Sequence, residues 1–266
     1  MKELKVGIDA AKTAAKIIQK YYGRHISIQH KGEINLVTEV DVLAQKMIVK
    51  IIHKTFKNDA ILAEESGLSK TADAPRRWIV DPIDGTTNFA HGYPKYCVSI
   101  AFEEAGELRC GVIYDPTLNE LFHSVKGKGA FLNKKRLHVS NPKNLRQSLL
   151  VTGFAYDLEK PEYNNIPLFI HMLKKAQAIR RDGSAALDLA YVAAGRFDGF
   201  WELGVNPWDT AAGILLIEEA GGKVAHMSGR KAKVTDYAIA TSGPGIFPDL
   251  LSELQSVWVN TEAKSA

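Results

Sequence analysis

The chain has 266 residues, 45% of them hydrophobic and 24% charged, with a formal net charge of +4 and a pI near 8.9. That balance excludes disordered, fibrous and disulfide-framework proteins and leaves room for a sizeable core. The charge is mild and interspersed; it suits a phosphate-bearing ligand, shows no basic run of nucleic-acid type, and comes with no apolar stretch of the ~18 residues that span a bilayer.

Met1-Lys2-Glu3-Leu4-Lys5 carries an acid and no continuous apolar run, so a secretory signal is not expected. Residues 3–22 predict an amphipathic helix with Leu4, Ile8, Ala11, Ala15 and Ile18 on one face. A second helix starts near Thr38. Thr38 and Asp41 have capping-box spacing, with Asp in place of the usual Glu, and Val40, Ala44, Met47, Ile48, Ile51 and Ile52 follow a helical period. Short strands follow at Ala60–Ala63 and Trp78–Val80, then an antiparallel meander over 96–125 with turns at Glu104–Glu107 and Pro116–Asn119. Lys126–Gly129 and Asn133–Arg136 read as further turns.

From about 145 strands alternate with helices. Strands are expected at Leu149–Thr152, Ala178–Arg180 and Gly199–Glu202, and helices near 162–176, 184–195 and 209–220. Gly221-Gly222 ends the last helix. Strands near 223–226 and 237–241 and a helix near 246–257 complete the chain. The expectation is layered sheets and helices in one domain, with an N-terminal α+β half of about 1–143 and a C-terminal α/β half of about 144–266.

Cys97 and Cys110 fall in one predicted hairpin. With its turn on Ala105-Gly106, Cys97 faces about position 114 and Cys110 about 101. That offset is roughly 13 Å along a strand, beyond the about 7 Å of a disulfide. Two reduced, structural thiols and a cytoplasmic protein are expected.

The chemistry concentrates in Trp78-Ile79-Val80-Asp81-Pro82-Ile83-Asp84-Gly85-Thr86-Thr87-Asn88-Phe89. An apolar strand runs into two carboxylates, then a glycine and two hydroxyls. Hard divalent cations take carboxylate and carbonyl oxygens, and phosphate takes free backbone N–H groups on a glycine turn. Three other acidic positions follow strands or open helices: Glu64-Glu65, Glu202 and Asp209. In a layered α/β protein such ends gather at one edge, where ligands bind. Singly, Asp209 also reads as a helix cap, Glu202 as a solvent-facing strand end and Glu64 as a surface turn residue. Asp81 ends an apolar strand, is expected to be half buried, and needs a partner or a metal.

Spacing removes several competitors. An aspartyl-phosphate mechanism of the Asp-x-Asp-Gly-Thr kind needs a nucleophile where Pro82 stands, so a metal-activated water is the better attacking group. No His-Glu-x-x-His, Cys-x-x-Cys or Gly-x-x-x-x-Gly-Lys-[Ser/Thr] motif is present. His91 reads as a loop residue, and Gly183-Ser184-Ala185-Ala186 as a glycine turn opening a helix.

Over roughly residues 35–245 the chain resembles the inositol monophosphatase family, within the lithium-sensitive, magnesium-dependent phosphatases. The resemblance rests on Asn35–Asp41, Ala63-Glu64-Glu65-Ser66, Trp78–Phe89, Gly183-Ser184-Ala185-Ala186 and Trp208-Asp209. It implies an αβαβα sandwich, a homodimer, and two or three Mg2+ ions per subunit, with Mn2+ as a substitute. One ion would be held by Glu64, Asp81 and the Ile83 carbonyl, and the second by Asp81, Asp84 and Asp209. Glu64 would also support a third, weaker ion near Asp41. Phosphate would lie on the Gly85 and Thr86 amides beside Asp84 and Asp209. Asp41 and Thr86, with Glu64, would be the catalytic groups that orient the attacking water. Gly183, Ser184, Ala185 and Glu202 would hold the alcohol.

Two departures from the family pattern stand out. A lysine common before Asp41 corresponds to Lys31 in one register and to His30 in another, and Asp182 is an extra acid beside the glycine turn. Thr87-Asn88-Phe89 resembles the inositol phosphatase branch, where nucleotide and histidinol branches often carry Lys after Asp-Gly-Thr. The leading substrate is therefore myo-inositol 1-phosphate or a similar small polyol or sugar phosphate. The alternatives are fructose 1,6-bisphosphatase activity, with Arg180 and Arg181 receiving a second phosphate, and a non-catalytic RNA- or protein-binding scaffold.

Overall fold

Apolar residues at helical spacing form α1 (Lys2–Tyr21), which buries Gly7, Ala10, Ala11, Ala14, Ala15 and Ile18. An antiparallel pair, β1 (Ile28–His30) and β2 (Leu36–Thr38), leads into α2 (Glu39–Thr55). Thr38 caps α2 as its spacing predicts: the Asp41 carboxylate accepts the Thr38 N–H, and the Thr38 hydroxyl accepts the Asp41 N–H. The computed structural model describes residues 1–24, 28–30, 36–68, 74–156 and 158–258. Lys31 lies outside these residues, as does the side chain of His30.

Next come β3 (Ala60–Ala63), β4 (Gly67–Leu68), β5 (Arg76–Asp84) and the short α3 (Thr86–Ala90). The predicted meander is β6 (Cys97–Glu104), β7 (Glu107–Asp115) and β8 (Glu120–Val125), extended by β9 (Gly129–Leu132) between the two expected turns and by β10 (Lys135–Arg136) inside the second. These strands form an eight-stranded sheet in the order β10-β9-β8-β7-β6-β5-β3-β4. The second part contains β11 (Leu149–Thr152), α4 (Ile166–Leu173), β12 (Ala178–Arg180), α5 (Ala185–Ala193), β13 (Gly199–Leu203), α6 (Pro207–Glu219), β14 (Lys223–His226), β15 (Ala238–Ser242) and α7 (Phe247–Gln255). Its five-stranded sheet runs β12-β11-β13-β15-β14. Helix α4 is shorter than its periodicity suggests. Asn165, just before it, is committed elsewhere: it donates to Thr152 Oγ1 and the Gly153 carbonyl and accepts from Trp201 Nε1.

Three apolar clusters bind five layers into an αβαβα sandwich. One lies between α1/α2 and the outer face of the large sheet, around Trp78, Ile100 and Val112. The central one joins both sheets through α5 and α6, around Ile113, Leu189, Phe200 and Leu216. The third seats α4 and α7 under the small sheet, around Leu150, Trp201 and Leu250. Close approach in the middle layer depends on missing side chains. A Cβ on Gly111 of β7 would lie 2.9 Å from the Ala212 carbonyl oxygen of α6.

The two cysteines are free and buried, as expected, but their register is off by one. Cys110 pairs with Phe102, and Tyr114 with Val98, because the ladder slips between Phe102 and Glu103. The slip sends Cys110 into the outer cluster and Cys97 into the central one, so the thiols point to opposite faces of the sheet.

Gly111→Ala pushes on α6 backbone, which has no flexible atom to yield. The expected loss is about 1–3 kcal/mol in urea unfolding; an unchanged midpoint would refute the close contact.

Candidate active site

Strand β5 builds the first half of the site. Asp81 pairs with Ser99 and Asp84 with Cys97, so three residues on β5 span two on β6. This bulge decides the geometry, because residues three apart on a regular strand face opposite sides. Here both acids face the middle layer. Pro82, which has no N–H to give a ladder, falls inside the bulge, and the Ile83 N–H turns back to donate to Asp81 Oδ1 at 2.9 Å. Gly85 follows with φ 96°, and a Cβ there would meet the Lys95 carbonyl at 2.7 Å. The turn opens α3 at Thr86.

Two helix N-termini supply the next acids by the same device. Asp41 is the third residue of α2 and Asp209 the third of α6, and each carboxylate accepts the N–H of its capping residue: Thr38 at 2.8 Å and Asn206 at 2.7 Å. Asp209 is therefore the partner in a capping box rather than the cap. In both boxes one oxygen is held and the other is left to act. Asp41 Oδ1 accepts from Thr86 Oγ1 at 3.0 Å, and Thr86 also faces the Ile83 carbonyl at 2.9 Å. Asp41 is fully buried behind Thr86 and outside the cavity wall.

The second half approaches through α5. Ser184 Oγ and the Ala186 N–H donate to Asp84 Oδ2 at 2.7 and 2.6 Å. Ser184 thus turns toward an acid of the first half. Asn88 Nδ2 donates to the carbonyls of Lys95 and Asp182, pinning the loop of Gly183 beneath α3. Between the halves lies a cavity of ≈ 160 Å³. Glu64, Asp81, Ile83, Asp84, Gly85, Thr86, Gly183, Ser184, Ala185, Glu202 and Asp209 all line it, which brings together every expected site residue except Asp41. Of the two arginines only Arg181 reaches it; Arg180 is exposed on β12. Asp182 lies 3.9 Å from Lys95, so the extra acid is partly compensated.

Asp81, Asp84 and Asp209 each place a carboxylate oxygen within 4.8 Å of the others. Asp81 is buried outright rather than half buried. Burial pushes its carboxyl well up, and the charges of Glu64, Asp84 and Asp209 push it further. Burial also raises Asp209, with Asp84 adding to it, and raises Asp84 against the donors from α5. Glu202 is pushed up to about 8, first by burial and then by Asp209 and Asp84, with Arg181 opposing. The donor set is all oxygen and all acidic, which fits Mg2+ or Mn2+ and not a zinc or copper site.

Sequence reading missed several wall residues. Asp188 sits in the first turn of α5, buried and raised well above the usual carboxylate range by burial. Its signal was a lone acid within the apolar run Ala185–Ala194. Phe154 and Tyr156 cap the cavity from the loop after β11, where Tyr156 and Thr87 share a hydroxyl hydrogen bond of 3.0 Å. That loop carries no motif.

A carboxylate trio beneath a glycine turn, with Asp81 and Asp84 buried and Asp209 half-buried, in a five-layer sandwich, is the arrangement of a metal-dependent phosphatase. The description "Inositol monophosphatase family" matches residues 2–258. An inositol-1-monophosphatase of Synechocystis sp. is 47% identical over 223 residues, covering 84% of this chain and 78% of its own length. A Nus factor SuhB of Pasteurella multocida is 39% identical over 254 residues, covering 95% of each. The inositol monophosphatase structure of Anabaena superposes with a TM-score of 0.88 at 41% identity, covering 98% of both chains. The chain belongs to the inositol monophosphatase family.

The raised carboxyls make a pH prediction for metal-free protein. Glu202 ionises at the ordinary 4.5 when unfolded but near 8 when folded, so above pH 4.5 the unfolded chain loses its proton first. Stability should fall as pH rises from about 5 to 8, and Glu202→Gln should flatten that slope in urea unfolding. Stability that rises over this range would contradict the buried acid cluster.

Proposed function

We propose that this chain is a magnesium-dependent phosphomonoesterase of small polyol or sugar phosphates, with myo-inositol 1-phosphate as the leading substrate. The observation that carries the reading is the convergence of Asp81, Asp84 and Asp209 beside the Gly85–Thr86 turn. Glu64, Asp81, Asp209, Asp84 and the Ile83 carbonyl are the proposed ligands of two or three ions. Bound divalent cations would neutralise phosphate oxygens and make water a better nucleophile near neutral pH.

The chain's own groups position the reaction. The Thr86 hydroxyl has one proton to give, to Asp41 or to the Ile83 carbonyl, and its lone pairs are left to accept from a water. That orients the water oxygen toward phosphorus. As its P–O bond forms, the bond to the alcohol oxygen breaks; one proton of the water ends on the alcohol oxygen and the other stays with the new phosphate oxygen. The Gly85 and Thr86 amides are proposed to hold the phosphate, and the Gly183–Ala185 turn with Glu202 the hydroxyls of the alcohol. A carboxyl raised toward neutral pH at Glu202 can donate to a substrate oxygen as well as accept.

Fructose 1,6-bisphosphate remains the enzymatic alternative, with Arg181 alone at the cavity for a second phosphate. The relative named as a Nus factor supports a scaffold reading, against which stands the intact acid set. The two halves are proposed to act as one domain, since α5 donors reach Asp84. Two buried thiols support cytoplasmic residence, and among the described residues no helix is long and apolar enough to cross a membrane. A homodimer is proposed on the outer face of α4, where Ile166, Ile170 and Leu173 are 46%, 51% and 55% exposed beside the edge strand β12.

Phosphate release from both substrates should require magnesium and fall by at least about 100-fold in Asp84→Asn and Thr86→Ala. Release that survives in Asp84→Asn, or without any divalent cation, would overturn the mechanism, and the ratio between substrates chooses the branch. Light scattering should find a dimer that Ile170→Glu converts to a monomer; a monomeric wild type would remove the dimer proposal.

A further inference from the structure

The net charge of +4 conceals a strong segregation. Residues 1–57 hold eleven Lys and Arg against five Asp and Glu, a net +6, so the rest of the chain carries −2. This excess is placed by α1 and α2. Lys16 and Lys20 lie on the outer face of α1, with Lys12 on its flank and its ammonium 5.9 Å from the centre of the Tyr114 ring, and Lys46, Lys50 and Lys54 repeat every fourth residue on the outer face of α2. All six are exposed, and none forms an ion pair with another described residue. The exposed acids of the two helices are Asp9 and Glu39 alone.

The helices lie side by side and antiparallel, since Lys2 at the start of α1 reaches over Phe56 at the end of α2. Their outer faces therefore form one surface about 30 Å long. The two helices bury the opposite sides against the large sheet, so this surface is the outermost layer of the molecule and does not include the active-site cavity. We propose that the α1–α2 face binds the phosphate backbone of double-stranded nucleic acid without reading its sequence. Lysines act there as separate point charges along a dense row of phosphates. Among the described residues, the exposed large apolar side chains of these helices are Met1, Val42 and Leu43, which lie at opposite ends of the layer. They form no stripe to enter a membrane, and they include no aromatic platform of the kind that stacks single-stranded bases.

Fluorescence anisotropy with a labelled 20-base-pair RNA or DNA duplex, on the full chain, tests this. Wild-type affinity should drop on the order of a thousandfold between 50 and 200 mM salt. The combined variant Lys16→Gln, Lys20→Gln, Lys46→Gln, Lys50→Gln should bind at least tenfold more weakly at 50 mM. Its plot of log affinity against log salt should be shallower by about 3 to 4, with melting temperature and phosphate release unchanged. Asp84→Asn should bind the duplex as wild type does. No duplex binding at 50 mM salt, an unaffected lysine variant, binding lost in Asp84→Asn, or binding to phosphatidylserine vesicles in place of the duplex would each overturn the proposal.

Discussion

Mutual repulsion among buried carboxylates governs this molecule. Asp81, Asp84 and Asp209 converge within 4.8 Å, the first two buried and the third half-buried, with Glu64 close enough to add its charge. Without a cation each added negative charge is opposed by the others and by burial, so protons must take the place of metal. With a cation the same crowding becomes attraction. The surrounding apolar layers tolerate the cluster because Asp81, Asp84 and Asp209 are each anchored by an N–H or hydroxyl.

Those anchors explain why the fold has the form it does. Asp84 is held by donors from the start of α5, so the first half of the chain completes its site only when the second half docks. Asp41 and Asp209 each accept the N–H of their capping residue, on helices in different layers. A shorter acid in place of the usual Glu leaves one oxygen free of the cap, so each helix keeps its capping contact and still presents a carboxylate oxygen. Helix α6 can sit close to the large sheet because Gly111 faces Ala212, and close to α5 because Gly213 faces Leu189. The central helix pair thus carries the chemistry from one sheet to the other.

What the sequence could disclose was local. The box at Thr38 and Asp41, the meander, the strand before Gly85 and the one that opens at Gly199, and the motif from Asp81 to Phe89 depend on neighbours within a few residues. The bulge that turns Asp81 and Asp84 to one face depends on pairing with β6, and no spacing rule along β5 contains it. The slip beside Phe102 displaced the thiol register for the same reason. Asn88 reads as a family marker in the sequence, yet in space it clamps a loop more than ninety residues away. Charge is local in the same way: a whole-chain sum averages over the segregation of lysines onto the α1–α2 layer.

The account stands or falls on metal at the carboxylate trio. Crystals soaked in Mn2+ and measured at the manganese absorption edge would locate the ion directly. Anomalous peaks within coordination distance of Asp81, Asp84 and Asp209, at least one of them touching Asp81, are the predicted result. Crystals whose cavity shows no anomalous peak, or whose only manganese lies on surface acids, would contradict it.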